Sequence, residues 1–269
     1  MYIKDFVFDG KSATNMGLII ASLDNDSSDL NLGANVTINT SKKIGLHTKY
    51  FHSASYDDSI SFQLQIFKNN CFKICNQYFS EDDIFDCMRW LQKDNGYREL
   101  ILISESDKKY CTKAQINVNR IENGNNTCGL SLSVNTYSPF LFDEEYEKKI
   151  EITDDSKYFD IKDTSIREGY QMLNIVVEFL KDGDFEFTNL FDGRTTIFTN
   201  CKKGEFVNID GNNQILTSSV QEHKVYEDFN FIFPKIHNTK FNNLNTFVVN
   251  IPCKITIKYS PILMVGGVL

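Results

Sequence analysis

No stretch of this 269-residue sequence offers the ~18 consecutive apolar residues that a membrane-spanning helix needs, so a helical membrane protein is excluded. The opening, Met1-Tyr2-Ile3-Lys4-Asp5-Phe6, lacks the charged stretch and apolar run of a secretion signal. The chain is therefore expected to be made, and at first kept, in the cytosol. Positive charge is also scarce. The net charge is −8, with 14 Lys+Arg against 16 Asp+Glu over residues 1–141 and 14 against 20 over residues 142–269. A nucleic-acid binder draws much of its affinity from counterions displaced by a basic surface, so that class is disfavoured.

Chemistry-bearing spacings are missing too. The seven cysteines (Cys71, Cys75, Cys87, Cys111, Cys128, Cys201, Cys253) are scattered, and none shows the two-residue gap of zinc knuckles or redox motifs. They read as reduced, mostly buried small apolar side chains. Cys71 and Cys75 could share one face as a ligand pair, but no second pair follows at zinc-finger spacing. The four histidines, His47, His52, His223 and His237, include no pair three or four residues apart. His47 and His52 would point to opposite faces of a strand, and zinc needs three or four convergent ligands, so surface or turn histidines are expected rather than a metal site. No glycine-rich phosphate loop is present, and Gly266-Gly267 lie at the C-terminus with no helix to follow. Neither catalytic, cofactor-binding nor metal residues are assigned, and no cofactor is implied.

What the sequence does have is strand patterning. Its 41% hydrophobic and 13% aromatic content belongs to a folded chain, and its length suits two domains. Apolar and polar residues alternate in Phe62-Gln63-Leu64-Gln65-Ile66, around Ile116 and Val118, in Leu130–Val134 and in Cys253–Tyr259. Asn123-Gly124 predicts a tight turn joining the second and third of these, and Phe206–Leu216 reads as another hairpin around Gly211-Asn212. Met172–Leu180, rich in β-branched residues, reads as a strand. One helix is expected, capped by Ser80 with Glu81, Asp82 and Asp83 in its first turn. Ile84, Met88 and Leu91 form its packed face with Cys87 alongside, and Asp94-Asn95-Gly96 stops it. Pro139 and the acidic run Asp143, Glu144, Glu145, Glu147 put a domain boundary near residues 139–148. The expected fold is mainly β: an N-terminal β-domain with one packed helix over residues 1–141, then a β-sandwich over residues 142–269.

Remaining candidates each have a plainer reading that is preferred. Asp57-Asp58, Glu144-Glu145 and Asp154-Asp155 could supply the two carboxylates of a glycosidase, but adjacent acids in loops are usually solvated charge. Lys42-Lys43, Lys108-Lys109 and Lys202-Lys203 fit strand ends better than phosphate contacts. Trp90 could stack on a sugar, yet an aromatic on a helix usually packs into the core.

Several motifs, in order along nearly the whole chain, carry a family resemblance. They are Phe6-Val7-Phe8-Asp9-Gly10-Lys11-Ser12-Ala13-Thr14-Asn15-Met16-Gly17-Leu18-Ile19-Ile20, Ser55-Tyr56-Asp57-Asp58 leading into the Phe62 strand, and Met88-Arg89-Trp90-Leu91. Ser138-Pro139-Phe140, Gly204-Glu205-Phe206-Val207-Asn208-Ile209-Asp210-Gly211, Tyr226-Glu227-Asp228-Phe229-Asn230-Phe231-Ile232-Phe233-Pro234 and Ile257-Lys258-Tyr259-Ser260-Pro261 follow. Together they resemble the distal tail proteins of siphophages. That resemblance implies a non-enzymatic structural protein of the virion tail tip, synthesised in the bacterial host cytoplasm. Its N-terminal barrel-like belt domain would close into a homo-hexameric ring, and its C-terminal sandwich would be galectin-like or carbohydrate-module-like. Its partners would be the tail tube protein and a tail-associated fibre or hub protein, with neither nucleic acid nor membrane required. The length leaves no room for the inserted sugar-binding modules of some relatives. The alternative reading makes the sandwich a glycan-binding module that touches host cell-wall polysaccharide.

Overall fold

The computed structural model describes residues 3–21, 35–45, 47–69 and 78–263. Two compact units emerge: Met1–Asp143 with Leu263–Leu269, and Glu144–Ile262. The fold is mainly β, with a single α-helix among the described residues.

In the first unit a nine-stranded sheet follows the path Lys11–Ser12, Ile3–Phe8, Arg98–Ser104, Lys109–Asn123, Asn126–Thr136, Ser61–Lys68 and Leu18–Ile20, all neighbours antiparallel. The two ends of that path are separated by only a short stretch of chain. Laid flat, the seven strands would put their edges about 29 Å apart, yet Ser12 to Leu18 can span at most about 21 Å. The sheet must therefore curl into a half-barrel. Ala13 fastens the seam, its N–H donating to Phe6 (2.9 Å) and its carbonyl accepting from Leu18 (3.0 Å). Gly17, at φ 75°, turns the chain there and accepts from Asn69 N–H at 2.8 Å.

The helix, Glu81–Leu91, closes this half-barrel. Ser80 and Asp83 form a reciprocal capping box. Burial raises the Asp83 carboxyl, but hydrogen bonds from Lys68 and Ser80 outweigh it and leave the value lowered. The buried face is Ile84, Cys87, Trp90 and Leu91, as expected but for Met88, which is exposed. Trp90 stacks on Phe6 (5.6 Å, 2°) and donates its indole N–H to the Phe8 carbonyl at 2.8 Å. The helix ends at Leu91, before Asp94-Asn95-Gly96. The Lys109–Asn123/Asn126–Thr136 hairpin turns through Gly124 at φ 64°, as the sequence predicts.

The second unit is a sandwich. A five-stranded sheet (Tyr146–Ile152, Cys253–Tyr259, Asn174–Phe179, Phe206–Asp210, Ile215–Ser218) shares one core with a four-stranded sheet (Tyr158–Lys162, Leu244–Val249, Gly183–Asn189, Arg194–Cys201). Cys253–Tyr259 alternates buried and outward residues along its length, and the predicted strand at Met172–Leu180 is present as Asn174–Phe179. Phenylalanine fills the middle: Phe179, Phe185, Phe187, Phe198 and Phe247 are all fully buried, with Phe187 and Phe247 stacked at 4.7 Å. At ~3–5 kcal/mol lost for each such ring removed, these rings dominate the stability of the unit. Gly211, at the predicted hairpin turn, is required by close approach: a Cβ would lie 2.3 Å from the Leu173 carbonyl oxygen. The acidic run at the start of this unit is ion-paired as well as solvated, with Glu145 and Glu147 at 3.3 and 3.1 Å from Lys258.

Candidate functional site

Two segments stand out because their side chains are not accounted for by the sheets. The first is an arm, the hairpin of Val36–Ser41 and Tyr50–Tyr56, which pairs with no other strand of the described structure. A register shift between Asn39 and Thr40 sets Thr40 opposite Phe51. Val36, Ile38 and Thr40 alternate onto one side, so their partners Tyr56, Ala54 and Phe51 join them there. The opposite side carries Thr37, Asn39 and Ser41 with their partners Ser55, Ser53 and Tyr50, polar but for the Tyr50 ring. The arm is thus amphipathic, yet Ile38 is 60% and Phe51 65% exposed. Its base is pinned by Asn35, whose side-chain amide donates to Asp57 at 2.8 Å, and by Tyr56 against Phe140. An isolated two-stranded hairpin is marginal in water, and among the described residues no third strand supports this one.

The second is a strap, residues 219–234, which runs without regular strands over the edge strand Arg194–Cys201. His223 is its anchor. It sits in a turn, one of the two expected settings for the histidines, but its side chain is only 4% exposed and its Nδ1 lies 2.5 Å from Glu205 Oε1. Glu205, also fully buried, accepts further from Ser218 Oγ (2.6 Å) and Lys202 N–H (2.9 Å). Burial raises this carboxyl, but those three donors outweigh it and hold it below the usual glutamate range. An ionised carboxylate has no proton to give, so Nδ1 is the donor. On the other side Nε2 is 3.2 Å from Asp228 Oδ2, an ion-pair distance without hydrogen-bond alignment. Asp228 accepts instead from Thr199 and Asn200, which lower its value. This clasp joins two of the motifs that carry the family resemblance, Gly204–Gly211 and Tyr226–Pro234. Sequence spacing could not single it out, because its members come from a turn, a loop and a strap.

The other candidates are dispersed. His47 and His52 are exposed, His52 bonding Ser41 at 2.6 Å. His237 is stacked against Tyr170 at 4.1 Å and edge-on to Phe191 at 4.5 Å. Cys87, Cys201 and Cys253 are buried free thiols, pushed up to about 11, about 12 and about 12 by desolvation, hence poor nucleophiles. Cys71, Cys75 and Gly266-Gly267 lie outside the described residues. Asp57 is spent on Asn35, and Asp154-Asp155 sit exposed in a turn. Lys42-Lys43 and Lys202-Lys203 follow strand ends and Lys109 opens a strand. Among the described residues no group of three His, Cys, Asp or Glu side chains is arranged to hold a metal. A groove of about 370 Å³ on the outer face of the five-stranded sheet is lined by residues including Val176, Phe206, Lys254 and Thr256.

Comparison with known proteins gives this geometry a context. Residues 1–138 match the family model described as phage tail protein N-terminal domain, and residues 140–259 match the phage tail C-terminal domain. The SPbeta prophage-derived uncharacterized protein YomH of Bacillus subtilis (strain 168) is 25% identical over 186 residues, covering 68% of this chain and 70% of its own. The crystal structure of the SPP1 Dit (gp 19.1) protein, described as a paradigm of hub adsorption apparatus in phages that infect Gram-positive bacteria, shares the fold with a TM-score of 0.66. The match covers 96% of this chain and 99% of that one at 8% identity.

Proposed function

The chain belongs to the phage tail protein family, a structural and not an enzymatic one, and on that footing we propose that it is the distal tail protein of a siphophage-type tail. In this reading it forms a homo-hexameric ring at the tail tip that joins the tail tube protein to a fibre or hub protein, after synthesis in the host cytoplasm. The observation that supports the reading is the arm: an apolar side made of Val36, Ile38, Phe51 and Ala54 that the described residues leave exposed. The occupant is a neighbouring copy. A contact in which an arm lies on a different surface of the next subunit is head-to-tail, and it closes into a ring when its rotation permits.

Negative-stain micrographs and sedimentation of the purified protein test this. A sixfold ring with a central channel is expected for the native chain, and monomers for the Ile38→Ser/Phe51→Ser double variant. Native protein that stays monomeric in the presence of tube and hub proteins, binding neither, would sink the proposal.

A second reading rests on the outer groove. Phe206, 47% exposed, lies opposite Glu178 and shares the groove with Val176 and Thr256, an aromatic surface with polar groups near it for a wall glycan. Calorimetric titration with cell-wall fragments decides it: heat that disappears in Phe206→Ala supports glycan contact, and no heat at millimolar ligand removes it.

A further inference from the structure

The arm is the basic part of an acidic chain. From Val36 to Tyr56 it carries Lys42, Lys43 and Lys49 and not one carboxylate, while the whole chain has a net charge of −8. All three lysines lie at the tip, between the ends of the two strands, where Ile44 is wholly exposed. Lys43 lies over the Tyr50 ring at 5.7 Å, and none of the three meets a carboxylate among the described residues. The surface that receives the arm must therefore offer apolar side chains to Ile38 and Phe51, with negative charge beside them.

The first unit of this same chain has such a surface, on the outward side of the helix Glu81–Leu91. Phe85, 59% exposed, and Met88, 37% exposed, are three residues apart and so adjoin there. Four carboxylates, Glu81, Asp82, Asp83 and Asp86, stand on the helix against one cation, Arg89. Glu81 and Asp83 are matched by Arg120 and Lys68. Asp82 meets no cation among the described residues, and Asp86 is 3.7 Å from an Arg89 side chain that is itself 84% exposed, a pair worth little in water. Tyr97 and Tyr137 also adjoin, at 6.4 Å, but Lys113 lies over Tyr137 and gives that pair the sign of the arm itself.

We infer that the arm of one copy lies across the helix Glu81–Leu91 of the next, with Ile38 and Phe51 against Phe85 and Met88 and the tip lysines on Asp82 and Asp86. This names the landing surface of the ring contact proposed above, and it rests on that reading. The lengths agree: strands of six and seven residues reach about 20 Å, and eleven residues of helix about 16 Å. Arm and helix are different surfaces, so every copy both gives an arm and receives one. Apolar side chains at the centre and charges at the rim are the ordinary anatomy of a specific protein contact.

Two full-length variants exchange the signs: Lys42→Glu/Lys49→Glu on the arm and Asp82→Lys/Asp86→Lys on the helix. In sedimentation at about 0.05 M salt, each alone should associate at least ~10-fold more weakly than the native chain, because like charges then face each other. Mixed in equal amounts, the two should recover association, since a reversed arm meets a reversed helix and a native arm a native helix. A readout that needs neither variant to fold is the native chain carrying the photo-cross-linker p-benzoylphenylalanine at position 51. Its cross-link should fall within residues 81–91 of a second copy. A chain that loses association in Ile38→Ser/Phe51→Ser, yet tolerates both sign reversals or cross-links elsewhere, would overturn the landing surface and leave the arm reading standing. Reversed variants that each dissociate and do not recover on mixing would overturn it too. Native chain that stays monomeric with tube and hub proteins present, binding neither, removes both readings.

Discussion

The arm of residues 36–56 and the strap of residues 219–234 both leave the main sheets carrying apolar side chains, and they treat them in opposite ways. The strap inserts Val225 and Phe229 into the sandwich core and ties its polar residues down through Glu205, Thr199, Asn200 and Thr195. The arm keeps Val36, Ile38 and Phe51 in water, and its side-chain bonds, such as Asn39 to Ser53, run mostly within itself. The strap belongs to the stability of the subunit. In the proposed ring the arm belongs to the assembly, because the described residues leave its apolar surface uncovered. The strap also shields the Arg194–Cys201 edge by taking its backbone hydrogen bonds, a protection against unwanted strand pairing that the arm lacks.

The contrast can be broken most severely at Phe229. Its truncation to alanine leaves a cavity beside Phe198 and Phe233, and urea unfolding should show a loss of about 3–5 kcal/mol. A loss below about 1 kcal/mol would mean that the strap is not part of the core. Next comes Glu205→Gln, expected to cost about 1–3 kcal/mol at neutral pH by weakening the clasp on His223. Here the sign is fixed by the lowered folded-state value: the contribution of the carboxylate is complete above its ordinary value of 4.5 and is lost as pH falls through the lower folded value. Unfolding followed from about pH 7 down to about pH 3 should therefore show less acid destabilisation in the variant than in the native chain. Equal acid slopes would remove Glu205 from the account. The smallest effect on stability is expected on the arm: Phe51→Ser should move unfolding by less than about 0.5 kcal/mol while reducing self-association measured by sedimentation. A large stability loss there, with association unchanged, would reverse the assignment of the two segments.

Much of the architecture was legible along the chain because it depends on local periodicity. Cys253–Tyr259 alternates and is a strand, and Ser80 followed by three acids caps a helix. Where several faces were available, periodicity misled. Ile84, Met88 and Leu91 share a helical stripe, but only Ile84 and Leu91 are buried: Met88 is exposed, while the Trp90 ring packs on Phe6. The arm shows the same limit more sharply. Val36 and Ile38 alternate like a strand with a core to face, and only the tertiary structure reveals that none of the described residues forms a core beneath them.

The sequence by itself determined a mainly β, acidic chain without catalytic spacings, and a set of ordered motifs shared with phage tail proteins, because composition, alternation and capping act over a few residues. The tertiary structure alone decided that the first sheet curls into a half-barrel, that His223 is buried against Glu205, and that Phe231 is held outward in a strained turn. Each of those depends on groups far apart in the chain, such as Phe231 fastened through Asn230 to Thr195 and Ile197, and long-range contacts of that kind leave no period in the sequence.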